Sequence, residues 1–396
     1  MNMEYRDIIG YQAAFVLKDS QLLEDHVVLV NKRTKRIISV VPVKDAPAIE
    51  IRNFGNKLIM PGLIDTHTHG AMSFDTMDAS HHSLNEMSKF FASKGVVAFT
   101  PTTVTAPDEK IVNAISQVRD SMLLGVDGAE ILGTYLEGPF LGYENRGAHP
   151  LELLQNPCLK KLEEWIDISD GTIVAVALAP ELKNSQEIVN FLHERNINTM
   201  LAHTSADYEC CKRLLDNNAT GIVHCYNGMT GLHHREPGAV GAALTHKSAF
   251  VELIVDGHHV HPAAVDVAYR CCGDNRLVLI TDSMCAAGMP DGEYKLGELD
   301  VKVTESVCRT EAGGLAGSTL TLDAGIKNLA KMLDNRFVDI WHTGSEVPAK
   351  MLNREEDFGR VSAGKIGSFV VVPLEKELSI FATIVNGKVV YEREEI

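Results

Sequence analysis

The sequence predicts an α/β fold, a (β/α)8 TIM barrel with a small β-sandwich built from both ends of the chain. Three observations lead there. Short apolar or β-branched runs recur at 58–64, 96–103, 131–136, 172–179, 198–202, 220–223, 250–255 and 277–280. Helical patterns separate them, with no long series of antiparallel strands, and eight such βα repeats close into a barrel. Both ends of the chain instead read as short strands joined by turns.

The elements follow from residue spacing. A helix is expected over 83–94, where Leu84, Met87, Phe90 and Phe91 share one face and Gly95 stops the helix. The segment 108–124 repeats Ile111, Ile115, Val118 and Met122 before Gly125. Further helices are expected at 186–195, 206–217 and 262–272. At the N-terminal end 26–30 and 36–41 read as strands. At the C-terminal end 368–372, 380–385 and 388–391 do so, with Asn386-Gly387 as a hairpin turn. Residues 1–57 and 365–396 are therefore assigned to the small sheet domain and 58–364 to the barrel. Glycine-punctuated strands at about 288–317 read as an insert after the eighth barrel strand, and 322–333 and 343–351 return to helix.

Composition excludes several partners. Lys and Arg total 37 against 53 Asp and Glu, a net charge of −16. Nucleic acid and anionic membrane surfaces both require the opposite balance. A small anion would need a local cationic cluster. The first ten residues carry Glu4, Arg6 and Asp7 with no long apolar core after them, so no export signal is expected. The longest apolar run, 173–180, is too short to span a bilayer. The eight cysteines include the neighbours Cys210/Cys211 and Cys271/Cys272 and no CxxC. Neighbouring cysteines are poor disulfide partners, so reduced thiols in a cytoplasmic protein are expected.

The polar residues at the ends of the apolar runs carry the chemistry. Strand one runs into Asp65-Thr66-His67-Thr68-His69, strand three into Glu137-Gly138-Pro139, strand five into His203, strand six into His224 and strand eight into Asp282. Barrel enzymes build their sites at these C-terminal ends. His67 and His69 point to one side of an extended segment. Taken singly, plainer roles are open: a core imidazole for His203 or His224, a loop carboxylate for Glu137, a helix cap for Asp282. Their coincidence at one end of a barrel points to metal. Imidazole and carboxylate suit zinc, iron, cobalt or manganese, and the set is large enough for one or two ions with Glu137 as a bridge. Such a site supports metal-assisted hydrolysis, with Asp282 moving the proton. His233-His234-Arg235-Glu236-Pro237-Gly238 follows strand six and is the densest cationic patch. A surface ion pair is the plain role for Arg235. With His259 and the backbone at Asn227-Gly228, it could instead hold a phosphate.

The segments PGLIDTHTHG (61–70), YLEGPF (135–140), HTSADY (203–208), HCYNGMTGLHHREPGAVGAAL (224–244), VDGHHVHP (255–262), ITDSMCAAGMPDGEYKLG (280–297), GGLAGSTLTLD (313–323) and VSAGKIGSFVVV (361–372) span nearly the whole chain. On them the chain resembles the N-acetylglucosamine-6-phosphate deacetylases of the amidohydrolase superfamily. The HxH pair and terminal strands are shared across the superfamily. LEGPF, HHREPG and the TDSM-to-DGEY stretch are more specific. The resemblance implies that Glu137, His203 and His224 hold a catalytic metal, that His67 and His69 complete a second site, and that Asp282 is general base and then general acid. It implies that His149 polarises the acetyl carbonyl, that Asn227, Gly228, Arg235 and His259 contact the sugar phosphate, and that Ala148, Leu315, Ala316 and Gly317 line the sugar. It further implies a homodimer in which Arg235 reaches the neighbouring site. Ala202 stands where glycine is usual before the strand-five histidine. Cys225 and Gly228 stand where a larger apolar residue and alanine are common.

The expected reaction is hydrolysis of N-acetyl-D-glucosamine 6-phosphate to D-glucosamine 6-phosphate and acetate. A cyclic amidase is the nearest alternative, but those enzymes usually carry a bridging carboxylated lysine after strand four, where this chain has Ala179-Pro180-Glu181. A deaminase would leave HHREPG without a task. A catalytically silent scaffold would be expected to have lost Asp282 or a ligand.

Overall fold

The computed structural model describes residues 5–375 and 377–394. The extreme ends of the two expected flanking segments, 1–4 and 395–396, and residue 376 lie outside the described residues. The barrel is built from Leu63–Thr68, Val96–Pro101, a broken third strand Glu130–Ile131 and Thr134–Leu136, then Ile173–Leu178, Asn198–Leu201, Gly221–Ile222, Phe250–Ile254 and Leu277–Ile280. Every pair is parallel. The ring closes through single bridges, Thr102 to Tyr135 and Thr68 to Ser283.

A helix follows each strand: His81–Ser93, Asp108–Leu124, Leu159–Ser169, Ser185–His193, Tyr208–Asp216, Gly238–Thr245, Pro262–Arg276 and Leu322–Met332. Their buried faces, such as Ile111, Ala114, Ile115 and Val118 on the second, join the strands in one continuous core. That apolar burial is the main stabilising term of the barrel. Residue spacing predicts neither Leu159–Ser169 nor Gly238–Thr245. The second is Gly-Ala-Val-Gly-Ala-Ala-Leu-Thr, buried at every position but the last, so it offers no amphipathic stripe to detect.

Two expectations are corrected. The run 58–64 is not one barrel strand. Lys57–Pro61 pairs with Phe369–Pro373 and with Phe15 and Val16 in the terminal sheet, so the sheet domain extends past residue 57. The chain breaks at Gly62, where an added Cβ would stand 2.3 Å from Val97 Cγ1, and the barrel starts at Leu63. The third strand is interrupted at Gly133, whose φ of 142° only glycine adopts readily. The terminal strands form the expected small sheet domain, eight strands hydrogen-bonded as one sheet. This sheet folds on itself: Tyr11 Oη donates to Gly387 O at 2.8 Å, and Tyr11, Phe54, Phe369 and Phe381 pack inside it. Its other face, through Leu58, Met60, Val370 and Val372, joins the barrel core.

The expected insert is a three-stranded antiparallel sheet of Gly292–Leu296, Leu299–Thr304 and Val307–Thr310. Leu296, Val301, Val303 and Cys308 pack with Val104, Met284 and Ala316. This small core seats the insert over the mouth of the barrel.

Candidate active site

The polar residues that end the strands converge as barrel closure requires. His203, His224 and Asp282 have φ of 40°, 27° and 48°, the left-handed region that non-glycine residues rarely occupy. Each lies two residues beyond the end of its strand. The left-handed turn breaks the strand's alternation and aims the side chain into the barrel mouth.

Two clusters result. Glu137, His203 and His224 form one, and His67, His69 and Asp282 the other, all buried. In the first, His203 Nε2 and His224 Nε2 lie 3.3 and 3.2 Å from Glu137 Oε1 and 3.2 Å from each other. In the second, His69 Nε2 lies 3.1 Å from Asp282 Oδ1. Glu137 Oε2 is 3.3 Å from His69 Nε2 and 3.6 Å from His67 Nε2, so this carboxylate spans both clusters.

The tautomers show that these groups suit a cation. His203 Nδ1 lies 2.9 Å from Asn145 O and His69 Nδ1 3.2 Å from Thr102 O. A carbonyl can only accept, so in the neutral rings both hydrogens sit on Nδ1 and both Nε2 lone pairs face carboxylates. Neither nitrogen of His67 has a hydrogen-bond partner, nor does His224 Nδ1. Lone pairs converging on lone pairs need positive charge between them. Burial opposes charge on Glu137, but the surrounding imidazoles, His67 foremost, hold its carboxyl well below the usual range. Burial likewise opposes ionisation of Asp282, and the neighbouring imidazoles, His69 foremost, outweigh it, leaving the carboxyl lowered. The donor set therefore fits a divalent cation of the borderline transition-metal type.

A cavity of about 340 Å³ opens above the clusters. Its walls include His69, Glu137, Ala148, His149, His203, His224, Asn227, Gly228, His259, Asp282, Leu315, Ala316 and Gly317. Two sequence-expected site residues are not on its wall. His67 lies fully buried behind it, and Arg235 is exposed on the loop that follows strand six. His149 is buried, 3.7 Å from Glu137 Oε2, and burial together with the nearby His203 pushes its imidazole pKa down to about 3. It is thus a neutral hydrogen-bonding group. His259 Nδ1 is fixed by Asp256 Oδ2 at 2.6 Å.

Sequence reasoning missed the groups that hold these residues. Thr105 Oγ1 is 2.8 Å from His149 Nδ1. Glu252, fully buried within strand seven, accepts from Thr66 Oγ1 at 3.1 Å and lies 3.6 Å from His67 Nδ1. An acid in the middle of Phe-Val-Glu-Leu-Ile was the available signal for it. Asp65 accepts from Thr281 N and Oγ1, tying strand one to strand eight.

Barrel, strand-end imidazoles and bridging carboxylate together define a metal-dependent hydrolase of the barrel class. In agreement, residues 58–390 match the model of the Amidohydrolase family, and the chain belongs to that family. It is 48% identical over 384 residues to the N-acetylglucosamine-6-phosphate deacetylase of Vibrio furnissii, covering 96% of this chain and 95% of that protein. It is 40% identical to the N-acetylgalactosamine-6-phosphate deacetylase of Escherichia coli O157:H7, covering 95% and 98%. Among solved structures, N-acetyl-D-glucosamine-6-phosphate deacetylase from Mycobacterium smegmatis in complex with N-acetyl-D-glucosamine-6-phosphate superposes with a TM-score of 0.86 at 27% identity, over 97% of this chain and 98% of that one. No helix among the described residues is long and apolar enough to cross a membrane.

Proposed function

We propose that this chain hydrolyses the acetamide of N-acetyl-D-glucosamine 6-phosphate to D-glucosamine 6-phosphate and acetate, in amino-sugar catabolism and cell-wall sugar recycling. The observation that carries this is a single sugar-sized cavity bordered by both ligand clusters, by Asp282 and by neutral His149. Strand four ends without a lysine, and Glu181 there is engaged by Thr204 and Ser205, which counts against a cyclic amidase.

One or two ions of zinc, iron, cobalt or manganese would be held by Glu137, His203 and His224, and by His67, His69 and Asp282. A cation there supplies Lewis acidity toward a carbonyl and makes water a usable nucleophile near neutral pH. The protein groups do the rest. Asp282 takes a proton from the attacking water and delivers it to the departing nitrogen. His149 donates to the carbonyl oxygen as negative charge gathers on it. Ala148, Leu315, Ala316 and Gly317 border the sugar. Asn227, the backbone at Gly228 and His259 face the phosphate end. Arg235, exposed and off the cavity wall in one protomer, supplies phosphate charge to the neighbouring site of a homodimer. The protein works in the cytoplasm.

The test is release of amine and acetate by purified, metal-supplemented protein. N-acetylglucosamine 6-phosphate, its galactosamine epimer and unphosphorylated N-acetylglucosamine are compared. The highest kcat/KM is expected for the first. No release from it at full metal content would overturn the proposal, and a preference for the epimer would reassign the substrate.

A further inference from the structure

His149 has two ring nitrogens, and only one can serve the proposed role. To donate to an acetyl oxygen, the hydrogen must sit on the nitrogen that faces the cavity. The opposite nitrogen, Nδ1, meets Thr105. The Thr105 hydroxyl is 2.8 Å away and the Thr105 backbone N–H donates to the same nitrogen at 3.4 Å. A backbone N–H never accepts. Were Nδ1 protonated, its hydrogen would face that N–H. The one state that satisfies both contacts has Nδ1 accepting and the hydrogen on Nε2. Nε2 faces the cluster, 3.7 Å from Glu137 Oε2.

The contact is built into the fold. Thr105 lies in the loop after strand two and is 1% exposed. Gly138, beside the bridging Glu137, sits against it so closely that an added Cβ would fall 2.0 Å from Thr105 Oγ1. The hydroxyl is confined between Gly138 and the imidazole. The His149 ring is held edge-on to His203, with centroids 4.7 Å apart and planes at 75°.

We propose, building on the deacetylation above, that Thr105 is a positioning residue. Its hydroxyl and backbone N–H together fix His149 as the Nε2–H tautomer and so present a donor to the acetyl oxygen. Without the hydroxyl, the long backbone N–H contact at 3.4 Å alone holds Nδ1, and the other tautomer, which turns a lone pair toward developing negative charge, gains population.

The experiment has two arms. In the first, Thr105→Val and Thr105→Ser are compared with wild type for kcat, KM, metal content and thermal midpoint. Valine is expected to lower kcat about 10- to 100-fold, less than or equal to losing an oxyanion donor outright, with KM within about threefold. Serine restores kcat to within about threefold of wild type. Equal kcat for wild type and Thr105→Val overturns the proposal, as does a Thr105→Ser enzyme no better than Thr105→Val. In the second arm, ¹⁵N-histidine spectra of wild-type protein, assigned by difference with His149→Gln, report the tautomer directly. A pyridine-type Nδ1 and a pyrrole-type Nε2 are expected, and the reverse pattern overturns the proposal even if neither Thr105 variant folds. An inactive wild type with the expected spectrum would instead strike the deacetylase reading alone.

Discussion

Replacing Asp282 by asparagine separates chemistry from scaffolding. The backbone of this residue is held on both sides, by Asp282 N donating to His67 O at 2.9 Å and by Ser318 N donating to Asp282 O at 2.8 Å. Neither bond involves the side chain. Its φ of 48° is left-handed, which asparagine tolerates better than other residues of this size. The fold should therefore survive, with stability changed by less than about 1 kcal/mol. Glu137, His203 and His224 stay intact, so at least one cation should remain. What disappears is a carboxylate able to accept a proton. General acid–base catalysis is worth about 10²- to 10⁴-fold, or roughly 3 to 5 kcal/mol of barrier. Asp282 is assigned both proton transfers, which places the expected loss in kcat at the upper end, about 10³- to 10⁴-fold. Amine release at saturating substrate, metal content and thermal midpoint should be measured on one preparation. A fully metallated variant that keeps kcat within tenfold of wild type would refute the assignment.

Arg235→Ala should raise KM for the phosphorylated sugar about tenfold or more, consistent with one charge-assisted contact, and leave unphosphorylated N-acetylglucosamine nearly unaffected. Equal effects would remove the phosphate role. Mixing Asp282→Asn with Arg235→Ala protomers should restore low-KM activity, because an arginine acting across the interface rebuilds one intact site per mixed dimer; no recovery would place Arg235 in its own protomer's site. Chelation should lower the thermal midpoint by several degrees, since a ligand at about 100 times its Kd contributes about 2.7 kcal/mol, and adding back the metal should reverse it; an unchanged midpoint would mean the clusters hold no structural cation. Burial alone would raise the Asp256 carboxyl, but His259 and two backbone N–H groups bring it down to about 2. Its folded pKa lies below the ordinary carboxylate value, so its contribution, up to about 2 kcal/mol, is complete above about pH 4 and fades as the pH falls toward 2. Urea midpoints for wild type and Asp256→Asn should therefore converge over that window, and a constant gap would refute the assignment.

The ligand positions were legible because each is a polar residue set against the end of an apolar strand. His67 and His69 kept strand alternation, and Glu137, His203, His224 and Asp282 marked where alternation ends. The seam at Gly62 was hidden because Lys57–Pro61 and Leu63–Thr68 both begin as apolar strands, and only pairing partners distinguish them. Gly238–Thr245 left no trace because a helix buried all round has no periodicity. The carbonyls of Asn145 and Thr102, which set two imidazole tautomers, are backbone atoms, so no side-chain identity announces them. Thr105 looked like any other hydroxyl in Thr-Pro-Thr-Thr-Val-Thr. Its role comes from a contact 44 residues away in the chain.

The opposing costs at this site have a consequence for the apoprotein. Three non-glycine residues, His203, His224 and Asp282, sit in left-handed backbone, at a cost of about 1–2 kcal/mol each. His203 Nε2 and His224 Nε2 face each other at 3.2 Å, and Asp282 Oδ1 faces His69 Nε2 at 3.1 Å, a second penalty that grows in a buried site. Both act in the apoprotein and concern the same loops. A bound cation relieves the electrostatic part, and its bonds then hold the strained backbone in place. The loops after strands five, six and eight should therefore be the least protected against amide exchange in metal-free protein and gain the most on loading. The sheet of Phe369–Pro373 and Lys57–Pro61, on the far side of the core, should not change. Uniform protection gains across both regions would mean that metal acts on global stability rather than on strain at the strand ends.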